Sequence, residues 1–313
     1  MADSCSLIPQ GVFVTDLALS TMWGVKRFET LAEFFKQGSA LGFTQFELNH
    51  AIDSTMLQNV NGYRVVSVHE PCPADVSVGE LKKRNWLISA PNERDRREGV
   101  NAIKRSIDLA QKFGASAVIV HPGKIDVDPA MNNRLHEWYR QGKRAAPEYT
   151  RLRDQFVAAR AAQARVNFSA ARHSVIELAE YAGERGVRLG LENRYHYFEI
   201  PSPDELGDLL ELGFANVGFW YDVGHAETWD QLGFVAHEEW LRRFAARIIG
   251  VHLHDVVGVD DHRAAGTGNV NWEMVARYLP AAAMRTCEFQ NNNSPEQITA
   301  GVKWLIEKGC VRQ

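Results

Sequence analysis

Four cysteines, Cys5, Cys72, Cys287 and Cys310, are scattered over 313 residues without a single Cys-x-x-Cys pair. That scarcity disfavours both a disulfide framework and a cysteine-based zinc site, and it fits a reduced, cytoplasmic chain. No cationic stretch followed by a short apolar one opens the sequence, and no apolar run approaches membrane-spanning length, so neither a secretory leader nor a membrane span is expected. A basic excess is missing too: 35 Lys and Arg stand against 39 Asp and Glu, a formal net charge of −4. Binders of nucleic acid or of anionic membranes usually show the opposite balance, which disfavours both classes while leaving room for a local basic patch. Finally, no Gly-x-Gly-x-x-Gly follows the first strand-like run, and no linker, low-complexity tract or repeat divides the chain. Residues 1–313 therefore read as one domain, not built around a dinucleotide fingerprint.

What is present is a large apolar fraction, 45% of residues, arranged with regularity. Short apolar runs predict strands at 11–17, 43–49, 63–69, 116–122, 187–193, 217–223, 248–254 and 284–290. Between them lie amphipathic segments such as 27–42, 96–114, 171–186, 201–213, 271–280 and 294–309, several opened by a Ser, Asn or Pro and closed by a Gly. Eight strands alternating with helices predict an α/β chain, a single (β/α)8 TIM barrel. One connection, residues 123–186 after strand four, is far longer than a helix requires. From 134 to 165 it holds eight Arg or Lys against three acids, with Trp138 and Tyr139. Two readings compete: a pair of solvated rim helices, or a lid offering cations to a phosphate or carboxylate.

The decisive pattern is where the polar residues fall. Strands three to eight each end in a metal-competent residue: His69, His121, Glu192, Asp222, His252 and Glu288. His225, Asp260 and His262 follow just past strand ends, the last two in a stretch that also holds His254, Asp255 and Asp261. In a barrel these positions converge on one mouth, the face that carries active sites. A lone His or Glu at a strand end is ordinarily hydrogen-bonded structure. Six in succession are different, because burying so many ionisable groups is costly unless opposite charges or metals compensate. Five His, two Asp and two Glu suit divalent ions such as Zn2+, Mn2+, Co2+ or Fe2+, and nine ligands would accommodate one to three of them.

Around these ligands the text LEN-R, YDVGHA, GVHLHD followed by D-x-H and G-x-G-N, and a late C-E resembles the xylose-isomerase-like TIM-barrel superfamily from about strand two to the C-terminus. That superfamily contains sugar-phosphate isomerases and epimerases and the endonuclease IV phosphodiesterases of AP endonuclease family 2. The endonuclease IV resemblance implies a trinuclear zinc centre on His69, His121, Glu192, Asp222, His225, His252, Asp260, His262 and Glu288. The ketose-epimerase resemblance implies one ion on Glu192, Asp222, His252 and Glu288, with the two glutamates exchanging a proton and His225 touching sugar oxygens. The flanking text departs from the endonucleases: EPCPADV follows His69, NRYHYFEIPSPDEL follows Glu192, and His254 stands where they carry Asn.

The favoured expectation is a metal-dependent isomerase or epimerase of a sugar, sugar phosphate or polyol, working by proton transfer through a metal-stabilised enediolate. Glu192 and Glu288 would be the acid/base pair. Lys124 and Arg194 would hold an anionic group, with ordinary rim charge as the alternative. Glu47 would bond a substrate hydroxyl, or play a supporting part instead. His254 would line the pocket beside His252 by two-residue alternation. Trp138, Tyr139, Tyr195, Tyr197 and Trp220 are candidate rim aromatics, and Cys287 a buried thiol. The expected partner is a small sugar-like molecule and not a membrane, nucleic acid staying open as the alternative partner; a homo-oligomer is compatible with the sequence. The competing expectation is a multi-zinc phosphodiesterase, and a third is a barrel that only binds.

Overall fold

The computed structural model describes residues 14–60 and 62–312. Residues 11–13 of the first expected strand, and Cys5, lie outside them. Eight parallel strands close a barrel: β1 (Val14–Ser20), β2 (Phe43–Leu48), β3 (Arg64–His69), β4 (Ala117–Val120), β5 (Arg188–Glu192), β6 (Val217–Asp222), β7 (Ile248–Leu253) and, last in the chain, β10 (Met284–Cys287). Their order around the barrel follows the chain, β10 closing onto β1. The fold is the expected TIM barrel. Two short strands the apolar pattern did not announce, β8 (Asp255–Val257) and β9 (Asp260–Arg263), form a separate antiparallel hairpin over the mouth. They were hidden because β8 has only three residues and β9 carries no apolar one.

Helices begin where the sequence supplies caps. Thr30 caps α1 (Leu31–Ala40), Ser77 caps α2 (Val78–Arg84) and Asn92 caps α3 (Glu93–Phe113), each accepting a backbone N–H of the first turn. Ser202 and Ser294 form capping boxes ahead of Pro at the starts of α6 (Pro203–Leu210) and α10 (Pro295–Glu307). The remaining helices are α4 (Pro129–Arg140), α5 (Pro147–Gly183), α7 (Val223–Leu232), α8 (His237–Phe244) and α9 (Trp272–Tyr278). None among the described residues is long and apolar enough to cross a membrane.

Inside the barrel, Trp220 fills the axis against Ala117 and Ile119. A Cβ on Gly250 would stand 2.2 Å from its ring, and one on Gly190 2.7 Å, so these two glycines make the room it occupies. Trp220 is thus not a rim aromatic but the floor beneath the polar mouth, its ring 5.4 Å from that of His252. Two-residue alternation then places Glu192, Asp222 and His252, one step beyond Gly190, Trp220 and Gly250, on the inward face above that floor.

The long connection is α4 and the 37-residue α5, packed through Leu135, Tyr149 and Phe156 onto Leu232 and Val259, with Trp138, Tyr139 and Tyr197 in the same cluster. Four of its eight cations act as struts. Arg140 pairs with Asp260 at 2.7 Å, and Arg160 forks onto Glu205 at 2.6 and 3.0 Å. Arg144 donates to the carbonyls of Asp230 and Gln231 and Arg153 to that of Gly233, closing the C-terminal end of α7 where cations are favoured. The insertion is a rim cover bolted to the barrel.

The hairpin over the mouth is anchored by Asp255. Its buried carboxylate accepts from the backbone N–H groups of Val256, Gly266 and Val270 and from the indole of Trp272. Gly268 must lack a side chain there, since its Cβ would lie 2.1 Å from the Val256 carbonyl oxygen. Asp255→Ala strands these donors and is expected to cost about 3 kcal/mol or more. Urea unfolding would read this as a lowered midpoint at unchanged m-value; an unshifted midpoint refutes the anchor.

Candidate metal centre

Glu192, Asp222, His252 and Glu288 offer ligand atoms that all lie within 4.8 Å of one another. The Nδ1 of His252 is 2.7 Å from Glu192, 3.3 Å from Glu288 and 3.5 Å from Asp222. One N–H proton cannot serve three carboxylates, whereas a cation standing among them would. On the other side of the ring, Nε2 faces Glu47 at 3.1 Å, and Glu47 also accepts from the Ser67 hydroxyl. A carboxylate that takes the Nε2–H leaves Nδ1 with its lone pair toward the centre, as ligating histidines are commonly held. Glu47 is fully buried, and its carboxylate contacts are with His252 and Ser67. Among the described residues, one buried oxygen of Glu288, Oε1, has no hydrogen-bond partner. The donor set and this orphan atom fit a divalent ion.

The flanking histidines share a design. Nδ1 of His69 contacts the Glu70 carbonyl at 3.0 Å, that of His225 the Asn193 carbonyl at 2.9 Å, and that of His262 the Glu288 carbonyl at 3.1 Å. A carbonyl only accepts, so each Nδ1 carries the proton and each Nε2 is the free donor of electrons. His69, His121 and Glu192 form a second group, with His121 Nε2 2.8 Å from Glu192 and 3.1 Å from His69 Nε2. In a third, nitrogens of His225, His254 and His262 come together. His254 differs from its neighbours there. Its Nδ1 accepts the His262 backbone N–H at 2.9 Å, and its Nε2 faces both oxygens of Asp222 at 3.0 Å. His254 therefore stands as a brace for Asp222, with both ring nitrogens engaged by protein atoms. Asp222 in turn caps α7, accepting from the His225 N–H at 2.7 Å.

Asp260 is the expected ligand that the structure keeps apart. It is half-exposed and paired with Arg140, and Asp261 instead approaches His225 at 3.7 Å and His262 at 3.4 Å. Lys124 lines a narrow, mainly apolar recess beside the mouth with Leu81, Trp86 and Ile103. Arg194 is buried, bonded to Glu192, and lines the main cavity of about 480 Å³ with Tyr195, His225, His262 and Arg263. Sequence reasoning missed His50, whose ring is 5.0 Å from His69, and Glu70, which accepts the His121 N–H. It also missed Glu199, because none of these ends an apolar run. His50 and Glu70 each directly follow a predicted strand, the second and the third, and that adjacency was the available signal.

Electrostatics keep the centre charged. Burial would neutralise Glu192, yet Arg194 and the imidazoles of His121, His252 and His69 hold its carboxyl well below the usual range. Asp222 is held low in the same way, by His225, His254 and His252 against burial. His121 is driven well below its ordinary value by burial and by the Arg194 and His69 charges. That leaves its imidazole neutral, the form in which histidine binds metal.

Residues 35–308 match the family model described as a xylose isomerase-like TIM barrel. Over 261 residues the chain is 27% identical to an uncharacterised protein of Methanocaldococcus jannaschii, covering 77% of this chain and 78% of that one. Among solved structures, a D-tagatose 3-epimerase-like protein superimposes with a TM-score of 0.63 at 20% identity, over 94% of this chain and 97% of that one. The IolI protein with a binding zinc atom gives 0.64 at 12% identity, over 94% and 98%.

The brace on Asp222 is testable through Gly224. A Cβ there would stand 2.1 Å from Cε1 of His254, so Gly224→Ala must displace that ring. Removing such outer support typically costs about 10–100-fold in metal affinity. Chelator competition with Mn2+ or Zn2+ should show a loss of that order, and unchanged affinity would mean Asp222 needs no brace.

Proposed function

We propose that this chain, which belongs to the xylose isomerase-like TIM-barrel family, is a divalent-metal-dependent isomerase or epimerase of a small sugar-like substrate. The observation that carries the reading is the four-residue group Glu192, Asp222, His252 and Glu288, with Glu288 Oε1 unpartnered among the described residues, next to an open polar cavity lined by Arg194, His225 and His262, which contact Glu192, Asp222 and Glu288 in turn. A divalent cation held by these residues would supply positive charge that eases loss of a proton from a carbon flanked by oxygens. The chain's own groups divide the remaining work. Glu288, with a free oxygen, takes the proton. Glu192, both of whose oxygens are engaged, anchors the cation, and its 2.8 Å contact with His121 gives it a route for exchanging a proton. Tyr195, His196 and His225 present hydrogen-bonding groups to hydroxyls in a cavity sized for a monosaccharide or slightly larger molecule.

A multi-zinc phosphodiesterase is the second reading, favoured by the three adjoining groups of ligands. Against it, Asp260 is tied to Arg140, and half of the cations in 134–165 are spent on internal struts instead of facing a polyanion.

With Mn2+-loaded protein and a panel of ketoses in deuterated water, deuterium is expected to enter a C–H position without hydrolysis. Glu288→Gln should lower that exchange by about 100-fold or more, with the fold retained by circular dichroism. About three zinc ions per chain together with cleavage of an abasic-site duplex would overturn the proposal in favour of the hydrolase.

A further inference from the structure

Four cations line the cavity above the centre: Lys82, Arg140, Arg194 and Arg263. Three have counter-charges. Lys82 lies 3.2 Å from Glu199, Arg140 2.7 Å from Asp260, and Arg194 is bonded to Glu192 with its Nε 3.7 Å from Glu199. Arg263 has none: among the described residues no carboxylate comes within 4.0 Å of it, and its buried Nε has no hydrogen-bond partner. A desolvated, unpaired guanidinium N–H is costly, and proteins rarely keep one without a use.

The backbone also exerts itself to aim this residue. In a regular strand neighbouring side chains face opposite ways, yet Asp261, His262 and Arg263 all line the same cavity. His262 makes this happen by adopting a left-handed φ of +55°, unusual for a residue with a side chain. The turn is held from outside: the Gln290 N–H donates to the His262 carbonyl at 3.0 Å, and Arg263 pairs across the hairpin with Asp255, the fully bonded anchor. Gln290 lines the cavity as well, and among the described residues its side-chain amide has no partner.

We infer that the substrate carries a carboxylate, and that Arg263, with the Gln290 amide beside it, receives that group while the rest of the molecule reaches down to the metal centre. A planar guanidinium presents two parallel N–H groups matched to the two oxygens of a carboxylate. A phosphate would call for donors on more sides than one free arginine and one amide supply. The substrate class is then a sugar acid, a uronate or keto-acid sugar, in place of a neutral ketose. This inference rests on the isomerase or epimerase reading above and narrows it.

The test is calorimetric or ligand-observed binding of D-glucuronate, D-glucose and D-glucose 6-phosphate to the Mn2+-loaded full chain. Glucuronate is expected to bind about 10-fold or more tightly than glucose. Arg263→Gln should erase that preference while leaving glucose affinity unchanged, which separates lost recognition from lost folding; Arg263→Lys should retain part of it. Equal binding of glucuronate and glucose, or a preference that survives Arg263→Gln, overturns the inference. Tighter, Arg263-dependent binding of the phosphate overturns the carboxylate assignment. If none of the three binds, the inference fails, and deuterium exchange into ketoses decides separately whether the isomerase reading stands.

Discussion

Everything at the mouth of this barrel follows from one constraint: carboxylates brought together out of water must be given positive partners. Glu47, Glu192, Asp222 and Glu288 are essentially fully buried within one small volume. The chain answers with imidazoles and one arginine. His252 faces three of the acids with one nitrogen and the fourth with the other, and Arg194 lies against Glu192. Such neutralisation is incomplete, as the bare oxygen of Glu288 indicates. A divalent cation at this place would complete it with fewer buried protons than a rearrangement of side chains.

The supports around the centre make sense in the same light. Imidazole is versatile because either nitrogen can be the donor, and here the tautomer is dictated from outside. Carbonyl oxygens of Glu70, Asn193 and Glu288 fix three rings one way, while the His262 N–H fixes His254 the other way. Two residues of the same type, in adjoining positions, thus come to opposite roles. Glycine does comparable work in the opposite sense, by absence: Gly190 and Gly250 admit the Trp220 floor, and Gly224 admits His254 against α7.

Much of this was legible in the sequence, and the limits have physical causes. The barrel strands could be read because parallel strands buried on both faces are continuous apolar runs, and the candidate ligands Glu192, Asp222, His252 and Glu288 because each ends such a run. The β8–β9 hairpin could not, since Asp255 through Arg263 owe their conformation to one buried carboxylate and not to patterning. Glu47 and His254 sit at readable positions, but whether a polar group supports a ligand or meets a substrate depends on what its second atom touches. Asp260 shows the same limit. Spacing places it beside His262, and only the three-dimensional partner, Arg140 from α4, draws it to the rim.

That last pair joins the insertion to the hairpin, and its consequence reaches the cavity. Arg140 occupies Asp260, so Asp261 is the acid left near His225 and His262, and among the described residues no carboxylate pairs with Arg263. The long connection after β4 therefore does more than cover the rim: it decides which charges of the loop 260–263 remain open toward a ligand. A barrel whose strand ends gather buried carboxylates thus has the charges at its mouth arranged in part from outside, by an arginine of α4.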